Sequence, residues 1–387
     1  MALILCPYCF ESFAPEGAAF RCVGQDPARC PHQEDRLLMA YQRLPTAPVL
    51  PRVFPGGTAG SSAVCPCGSR TTRRVCPHCH NDLPGQFGQT ENFTVALLGS
   101  KEAGKSHYMA VLIHELFNRV GERFKASLSA LDDHTIRRYK EDFRSYLFDR
   151  REVIPQTRSA RADLTTRYPL VYRLTLERKG WLGKKLRIAS MVFFDTAGED
   201  LDSYDLMSSE TRYVANSHGL ILLVDPLQIP DVRERLGNVE LLPGENTDPN
   251  DIVDRVIKLI RDFRELPANQ KIPTPLALAF TKVDAVWPLF EPGSAVHTAS
   301  KHPGYFDLAD AERVHEELRA QVNRWCQGLD RKLAHHFASH AYFGVSALGG
   351  SPGPDGRIAR GVSPFRVEDP FLWILSRLGL VPARRLR

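Results

Sequence analysis

Six short apolar runs lie along the chain between residues 94 and 345, and most of them show no alternation of apolar and polar positions. A strand with one face in water alternates, whereas a strand covered on both faces by helices reads as a continuous apolar run. We therefore predict a sheet that is buried on both faces. Its strands cover residues 94–98, 170–176, 188–194, 220–224, 276–280 and 341–345.

Segments with helical spacing separate several of these runs. Apolar residues recur at intervals of three and four after Met109 and again after Ile252, and a last helix is predicted around residues 371–378. This alternation predicts a mostly parallel α/β sandwich with helices on both faces of the sheet. The segment from about 125 to 165 has helical spacing around Ile136 and no apolar run, so we interpret it as a helical insertion without a strand.

The chain before residue 91 has a different composition. Four cysteines lie in residues 1–40, residues 41–64 are rich in proline and glycine, and four more cysteines lie in residues 65–90. Clusters of proline and glycine are typical of linkers. We predict a zinc-binding segment at 1–40, a linker at 41–64, a zinc ribbon at 65–90 and one α/β domain over 91–387.

Two sets of four cysteines have spacings that are typical of structural zinc sites. The later set has the pattern C-x-C-x₈-C-x₂-C and consists of Cys65, Cys67, Cys76 and Cys79. The earlier and looser set consists of Cys6, Cys9, Cys22 and Cys30. His32 is an alternative ligand to Cys30. Disulfides are the competing interpretation, and they are disfavoured because nothing in the sequence indicates export to an oxidising compartment. We expect two bound Zn²⁺ ions.

The residues between the first apolar run and the helix after it match G-x-x-x-x-G-K-[ST], the pattern of a phosphate-binding loop. In such a loop backbone N–H groups surround a phosphate at the positive end of a helix. Lys105 would reach the β- and γ-phosphates of a nucleotide, and the hydroxyl of Ser106 would bind Mg²⁺. The nucleotide-binding candidates here are Gly99, Ser100, Lys101, Glu102, Ala103, Gly104, Lys105, Ser106 and His107.

The sequence Asp195-Thr196-Ala197-Gly198 follows the third run. A carboxylate at such a strand end can hold Mg²⁺ through water, and a glycine N–H three residues later can meet a γ-phosphate. Asp195 is therefore a Mg²⁺ candidate beside Ser106. A third candidate is Thr157, which precedes the run at 170–176 and would add a second hydroxyl to Mg²⁺. This motif would sense whether the γ-phosphate is present.

Two further motifs follow the last two runs and bear on the choice of base. Asp284, in Thr281-Lys282-Val283-Asp284, would accept hydrogen bonds from the N1–H and amino group of guanine, whereas adenine presents an acceptor at N1. The stem of Lys282 would cover the base. A backbone N–H within Ser346-Ala347-Leu348 would meet guanine O6. These residues favour GTP over ATP.

In this order, each at a strand end, the four motifs resemble those of the translation-factor-related (TRAFAC) P-loop GTPases over about residues 92–380. The long interval before D-T-A-G, the Asp225-Pro226 pair and the cysteine-rich front resemble, within that class, the bacterial double-GTPase 2 proteins. The resemblance implies a P-loop NTPase sandwich, GTP or GDP and Mg²⁺ as ligands, and action within a multi-protein conflict or defence system.

Two positions depart from the usual motifs of that class. Thr281 stands where asparagine is usual, and Glu199 stands where many members have the glutamine that orients the attacking water. The negative charge of Glu199 beside a γ-phosphate requires compensation. For the switch threonine we choose Thr157, with Thr165 and Thr166 as alternatives. The catalytic candidates are Lys105, Thr157, Gly198 and Glu199.

Bulk composition narrows the remaining choices. Hydrophobic residues make up 43% and charged residues 25% of the 387 positions, an average usage that excludes a disordered or fibrous chain. The formal charge of +5 falls to about +1 if eight thiolates hold two Zn²⁺ ions, so charge gives no support for nucleic-acid binding. No run approaches the roughly 20 apolar residues of a membrane span, and we expect a cytoplasmic protein because the start lacks a basic signal region.

We therefore predict a GTPase switch that acts with a protein partner, and a nucleotide-dependent dimer is compatible with this reading. The alternative is a nucleotide-gated scaffold with little hydrolysis, whose zinc region binds a protein or nucleic acid. An ATPase that acts on nucleic acid is a third reading, and Asp284 opposes it.

Overall fold

A seven-stranded sheet forms the centre of the chain from residue 91 onward. It is seen in a computed structural model, which describes residues 3–24, 26–56, 61–84, 91–155, 168–180, 183–193, 212–237 and 248–385. The strands are β1 (Glu91–Gly99), β2 (Ala126–Ala130), β3 (Leu170–Gly180), β4 (Gly183–Phe193), β5 (Gly219–Val224), β6 (Leu276–Phe280) and β7 (His340–Gly344). All six runs predicted as strands lie in or beside these elements.

The strand order across the sheet is β2-β3-β4-β1-β5-β6-β7. The five strands from β4 to β7 in this order run parallel, and β3 and β2 are antiparallel additions at one edge. The predicted fold class, a mostly parallel P-loop sandwich behind a cysteine-rich front, is confirmed. The ladder between β1 and β5 runs from Val95 opposite Gly219 to Gly99 opposite Leu223.

Both faces of the sheet are buried, as the unalternating runs predict. In β5, Leu220, Leu222 and Val224 belong to one hydrophobic cluster, and Ile221 and Leu223 belong to the other. Helices cover both faces. Outside the zinc region they span Lys105–Phe117, Arg119–Phe124, Asp133–Arg138, Tyr139–Arg150 (wound as a π-helix), Pro230–Leu236, Pro249–Arg264, Leu308–Trp325, Leu329–His336 and Asp369–Arg377.

The expectation that residues 125–165 contain no strand is wrong. β2 lies there and pairs with β3 from Ala126 opposite Leu176 to Ala130 opposite Tyr172. The strand is only five residues long, has the sequence Ala-Ser-Leu-Ser-Ala, and buries only Leu128 among its five side chains. An edge strand of small residues gives too little apolar signal to be separated from a helix by periodicity.

A buried ion network fixes the last helix. The guanidinium of Arg366 binds Asp310 at 2.8 Å and Asp369 at 2.7 Å, and His302 binds the other oxygen of Asp369 at 2.8 Å. Burial alone would raise the pKa of Asp369. The hydrogen bond from His302 and the charge of Arg366 nevertheless hold this pKa below its ordinary value. If either helix moved away, a buried carboxylate would lose its partner, which is strongly destabilising. The network therefore holds helix Asp369–Arg377 against helix Leu308–Trp325.

The cysteine-rich region is built from short strands that come from both of its ends. Ala19–Arg21 pairs with Val53–Pro55 on one side and with Arg74–Val75 on the other. The stretch predicted as a linker thus supplies Val53–Pro55, and also Val49–Pro51, which pairs with His32–Glu34. The other elements are Ile4–Leu5, Ser12–Phe13, Ala63–Val64, Arg70–Thr71 and helix Arg36–Gln42.

A buried polar cluster holds these strands together. Arg21 binds Asp35 at 2.8 Å and donates to the carbonyl oxygen of His80 at 3.1 Å, and His80 Nδ1 lies 2.8 Å from Asp35. Among the described residues, no helix is long and apolar enough to cross a membrane.

Candidate functional site

The phosphate-binding loop lies at the carboxyl end of β1, as predicted. A Cβ at Gly99 would lie 2.7 Å from the carbonyl oxygen of Leu223, so glycine is needed for the close approach of β1 and β5. Gly104 has φ +82°, in the left-handed region that glycine adopts without strain. Helix Lys105–Phe117 begins directly after it. Lys105 is buried, and its ammonium donates to the carbonyl oxygens of Gly99 and Ser100 at 3.0 Å each.

The base-recognition candidates follow β6 and lie at the same edge of the sheet. Thr281 is buried; its backbone N–H donates to the carbonyl oxygen of Val224 at 2.9 Å, and its hydroxyl does so at 3.3 Å. Lys282 Nζ lies 2.5 Å from Asp225 Oδ2. The Oδ1 atom of Asp284 is buried and has no hydrogen-bond partner among the described residues. An unpartnered buried acceptor is costly unless a ligand satisfies it, which fits a donor-bearing base.

Ser346, Ala347 and Leu348 follow β7, beside the base loop. The N–H of Ser346 donates to the carbonyl oxygen of Phe365 at 2.9 Å, and the Ser346 hydroxyl accepts from Gly349 N–H at 3.0 Å. The N–H of Val283 donates to Val345 at 3.1 Å. Ser346 therefore shapes this loop with its own polar groups, and the O6 contact of this tripeptide stays a prediction.

A short turn after β5 connects the phosphate loop to the base loop. Asp225 is fully buried; its Oδ1 accepts from Leu227 N–H at 2.9 Å while its Oδ2 binds Lys282. Three residues later, the buried amide of Gln228 accepts from the Ser100 hydroxyl and donates to the Lys101 carbonyl, both at 2.7 Å. In the sequence, Asp225-Pro226 contributes to the family resemblance, whereas no motif marks Gln228. The sequence signal that could have identified Gln228 is its position one turn after a buried strand.

His107 connects the phosphate-loop helix to the chain before the predicted switch threonine. Burial, reinforced by the positive charge of Lys282, lowers the pKa of His107 to about 4. The imidazole is therefore neutral at pH 7, and its Nε2 accepts a hydrogen bond from Ile154 N–H at 3.1 Å. His107 thus anchors the segment that ends at residue 155.

Several predicted site residues lie outside the described residues. They are Thr157, Thr165, Thr166, Asp195, Gly198 and Glu199. β4, which leads toward the D-T-A-G motif, runs parallel to β1 and ends at Phe193. The roles of these residues stay predictions.

Two groups of four cysteines form candidate zinc sites. Site 1 consists of Cys6, Cys9, Cys76 and Cys79, and site 2 of Cys22, Cys30, Cys65 and Cys67. The Sγ–Sγ distances are 3.8 and 3.7 Å in site 1 and 3.6 and 3.8 Å in site 2. A tetrahedral Zn²⁺ with bonds of about 2.3 Å places its sulfurs about 3.8 Å apart, whereas a disulfide is about 2.05 Å long. Both groups therefore fit zinc.

The grouping of the cysteines differs from the sequence interpretation, which placed each set of four neighbours around one ion. Instead, each site takes two cysteines from before residue 31 and two from after residue 64. Spacing identifies pairs of ligands, but strand pairing decides which pairs meet: Ala19 lies opposite Val75, beside Cys76. His32 is exposed and belongs to neither group.

Two neighbouring arginines of this region, Arg73 and Arg74, lie just before the second pair of site 1 cysteines. Arg73 binds both carboxylate oxygens of Asp82, at 2.9 and 2.6 Å. Burial lowers the pKa of Arg74. A bidentate pair of this kind occupies the planar guanidinium that would otherwise bind a phosphate.

The two C-x₂-C turns of site 1 have matching geometry. The residue after each turn has a left-handed backbone, with φ +56° at Phe10 and +54° at His80. The N–H of Phe10 donates to Cys6 O at 3.2 Å, and that of His80 to Cys76 O at 2.9 Å. A left-handed phenylalanine costs about 1–2 kcal/mol. Phe10 is fully buried, so packing of its ring offsets that cost.

Comparison with known proteins agrees with this geometry. A sequence model of a family described as Double-GTPase 2 matches residues 94–359. The "Putative ESX-1 scaffolding and assembly protein SaeC" of Mycolicibacterium smegmatis is 28% identical over 404 residues, which cover 97% of this chain and 99% of that protein.

Two solved structures share weaker similarity. Translation elongation factor SelB from Methanococcus maripaludis, in complex with the GTP analogue GPPNHP, has a TM-score of 0.29 and 11% identity over 77% of this chain and 36% of that chain. Roco2 (RocCORdC) from Methanosarcina barkeri, bound to GDP, has a TM-score of 0.27 and 12% identity over 74% of this chain and 50% of that chain.

Paired cysteine substitutions test the grouping of the zinc ligands. Removing Cys6 and Cys76 together damages site 1 alone, so we expect one zinc per chain by metal analysis. Removing Cys6 and Cys22 together damages both sites, and we expect none. If each set of four sequence neighbours held one ion, the first variant would instead bind no zinc and the second would bind one. Cys326→Ser, a buried cysteine outside both sites, is the control and should retain two zinc ions.

A second prediction concerns Gln228. Gln228→Ala removes two hydrogen bonds to the phosphate loop, so we expect nucleotide binding there to weaken about tenfold in a fluorescent-nucleotide titration. Gln228→Glu cannot donate to the Lys101 carbonyl and should not restore affinity. The exposed Gln327→Ala is the matched control. Unchanged affinity in Gln228→Ala would contradict this role.

Proposed function

This chain belongs to the Double-GTPase 2 family, and we propose that it binds GTP with Mg²⁺ and hydrolyses it to GDP and phosphate, acting as a nucleotide-dependent switch in a multi-protein assembly. One observation carries the proposal. The phosphate loop after β1 and Asp284 after β6 lie at the same carboxyl edge of the parallel sheet, with β5 between the two strands, and this is the edge where open α/β sheets bind ligands.

The phosphate side of the site would act mainly by position and charge. Lys105 would turn from the loop carbonyls to the β- and γ-phosphates, and loop N–H groups would bind the phosphate oxygens. When bound, Mg²⁺ would neutralise phosphate charge, with Ser106, Thr157 and Asp195 as its candidate ligands. Glu199 is proposed to position the attacking water, and Gly198 to meet the γ-phosphate.

The base side supports guanine. The unpartnered Oδ1 of Asp284 is an acceptor, and guanine offers it N1–H and the amino group. Lys282 is held by Asp225 at the side of the same loop, which suits a stem that covers the base. Because the Ser346 N–H is already bonded, we favour the N–H groups of Ala347 and Leu348 for the contact with guanine O6.

A nucleotide-gated scaffold with little hydrolysis is the second candidate. It is favoured by Glu199 in place of the usual glutamine, and by the relative whose name describes a scaffolding and assembly protein. In either case we propose a protein partner, assembled or released according to the nucleotide. The link to conflict or defence systems, the cytoplasmic location and nucleotide-dependent dimerisation stay predictions.

Phosphate release with GTP and ATP side by side tests the proposed activity. We expect release from GTP and not from ATP, and at least a 100-fold loss in Lys105→Ala because the phosphates lose their main cation. The exposed Lys301→Ala is the control. Hydrolysis of ATP at the same rate would contradict the proposal, whereas binding of GTP without turnover would favour the scaffold.

Base choice gives a separate prediction. Asp284→Asn replaces two acceptors with an acceptor and a donor, which suits xanthine, whose C2 carries an oxygen. We expect affinity for GTP to fall by about 100-fold and affinity for XTP to rise in a competition titration. Asp262→Asn, on an exposed helix position, should change neither. If Asp284→Asn keeps its preference for GTP, the base lies elsewhere.

A further inference from the structure

Tyr213 completes the backbone bonding of the strand that carries the phosphate loop. Its hydroxyl donates to the carbonyl oxygen of Val95 at 2.9 Å and accepts from Leu97 N–H at 3.1 Å. The described pairing of β1 with β4 ends at Thr94. The tyrosine hydroxyl therefore bonds β1 beyond the end of this ladder, two residues before Gly99.

The opposite side of Tyr213 packs on zinc site 1. Its ring lies 5.0 Å from the ring of Phe10, the residue after Cys9, and both side chains are buried. Two polar contacts flank the rings. Asn216 Nδ2 donates to the carbonyl oxygen of Phe10 at 3.0 Å, and Arg212 binds Glu11 at 3.1 Å. The helical turn over residues 212–215 thus lies between the C-x₂-C turn and β1.

A second contact joins site 1 to the sheet. The rings of Tyr8 and Tyr41 meet Tyr168 edge-to-face at 6.2 and 6.3 Å, and Tyr41 donates to the carbonyl oxygen of Tyr8 at 3.2 Å. Tyr168 lies two residues before β3. Among the described residues, the site 2 cysteines cluster with Phe20, Phe54 and Ala63, apart from the cluster that contains site 1 and Tyr213.

The position of Phe10 depends on the metal. Phe10 has a left-handed backbone, and its N–H closes the turn that presents Cys6 and Cys9. Four thiolates held this close together without a cation would repel one another, so the turn that carries Phe10 would depend on its metal. Loss of zinc from site 1 would release the surface against which Tyr213 packs.

We infer that Tyr213 is a positioning residue that couples zinc site 1 to the phosphate loop, so that zinc at site 1 and nucleotide at the loop each raise the affinity for the other. The coupling is reciprocal by thermodynamic necessity. It rests on the proposed nucleotide site. Zinc at site 2 lies outside this path and is independent of the nucleotide.

The test compares zinc release and nucleotide binding in the full chain. Release to a chromogenic chelator is followed with and without GTP, and nucleotide affinity is measured with a fluorescent analogue. In the wild type we expect GTP to slow release of one of the two zinc ions about tenfold and to leave the other unchanged. In Tyr213→Phe, which removes only the hydroxyl, we expect both ions to be retained, nucleotide affinity to fall about tenfold, and the effect of GTP on zinc release to disappear.

Matched variants separate coupling from general destabilisation. Cys67→Ser damages site 2 and should leave nucleotide affinity unchanged. Tyr172→Phe is the matched control for Tyr213→Phe, because the buried Tyr172 hydroxyl on β3 has no hydrogen-bond partner among the described residues. This variant should leave the coupling intact. A purely structural role of Tyr213 would lower the melting temperature while GTP still slowed zinc release.

Three results would each be decisive. If Tyr213→Phe binds nucleotide like the wild type and GTP still protects its zinc, the inference is overturned. If Tyr213→Phe does not fold, Phe10→Leu tests the same contact from the zinc side, and unchanged nucleotide affinity there also overturns it. If the wild type binds no nucleotide, the proposed function has failed instead.

Discussion

Everything at the candidate site depends on the parallel register of β1, β5, β6 and β7. Gly99 lies opposite Leu223, and Val224, Phe280 and Gly344 lie opposite one another in successive ladders. The chain therefore leaves all four strands at one edge of the sheet within a residue or two. The phosphate loop, Asp225, the base loop and the loop after β7 meet there because of backbone hydrogen bonds alone. Side chains then refine their separation: Asp225 holds Lys282, and Gln228 holds the loop at Ser100 and Lys101.

The sequence predicts the sheet and its motifs well because they depend on local signals. An apolar run covered on both faces is visible in the chain itself, and the phosphate loop is recognised from glycines, a lysine and a serine within eight consecutive residues. The small edge strand β2 was missed because it buries one side chain and is defined by its partner β3. Gln228 was missed because its importance depends on two contacts more than 120 residues away along the chain.

The cysteines show more clearly that local sequence patterns do not predict which distant segments meet. Ligand type and number follow from composition, and both proved sufficient to indicate two tetrahedral sulfur sites. Their grouping does not follow, because a C-x₂-C pair is complete as a local unit and is equally suited to any second pair. The three-stranded sheet of Val53–Pro55, Ala19–Arg21 and Arg74–Val75 makes the choice by bringing the first turn beside the last. The buried cluster of Arg21, Asp35 and His80 fixes that arrangement.

Because of the crossed grouping of the cysteines, bound zinc would connect parts of this region that lie far apart along the chain. Each candidate site joins two cysteines from before residue 31 to two from after residue 64, so bound zinc would link the two halves by eight metal–sulfur bonds in addition to the peptide between them. A single proteolytic cut between residues 31 and 64 would leave the halves attached as long as zinc is bound. In metal-free protein the same cut would leave the halves held by non-covalent contacts, such as the pairing of Ala19 with Val75. For this region the two ions would therefore serve as removable cross-links, and the supply of zinc would determine how firmly a cut chain is held together.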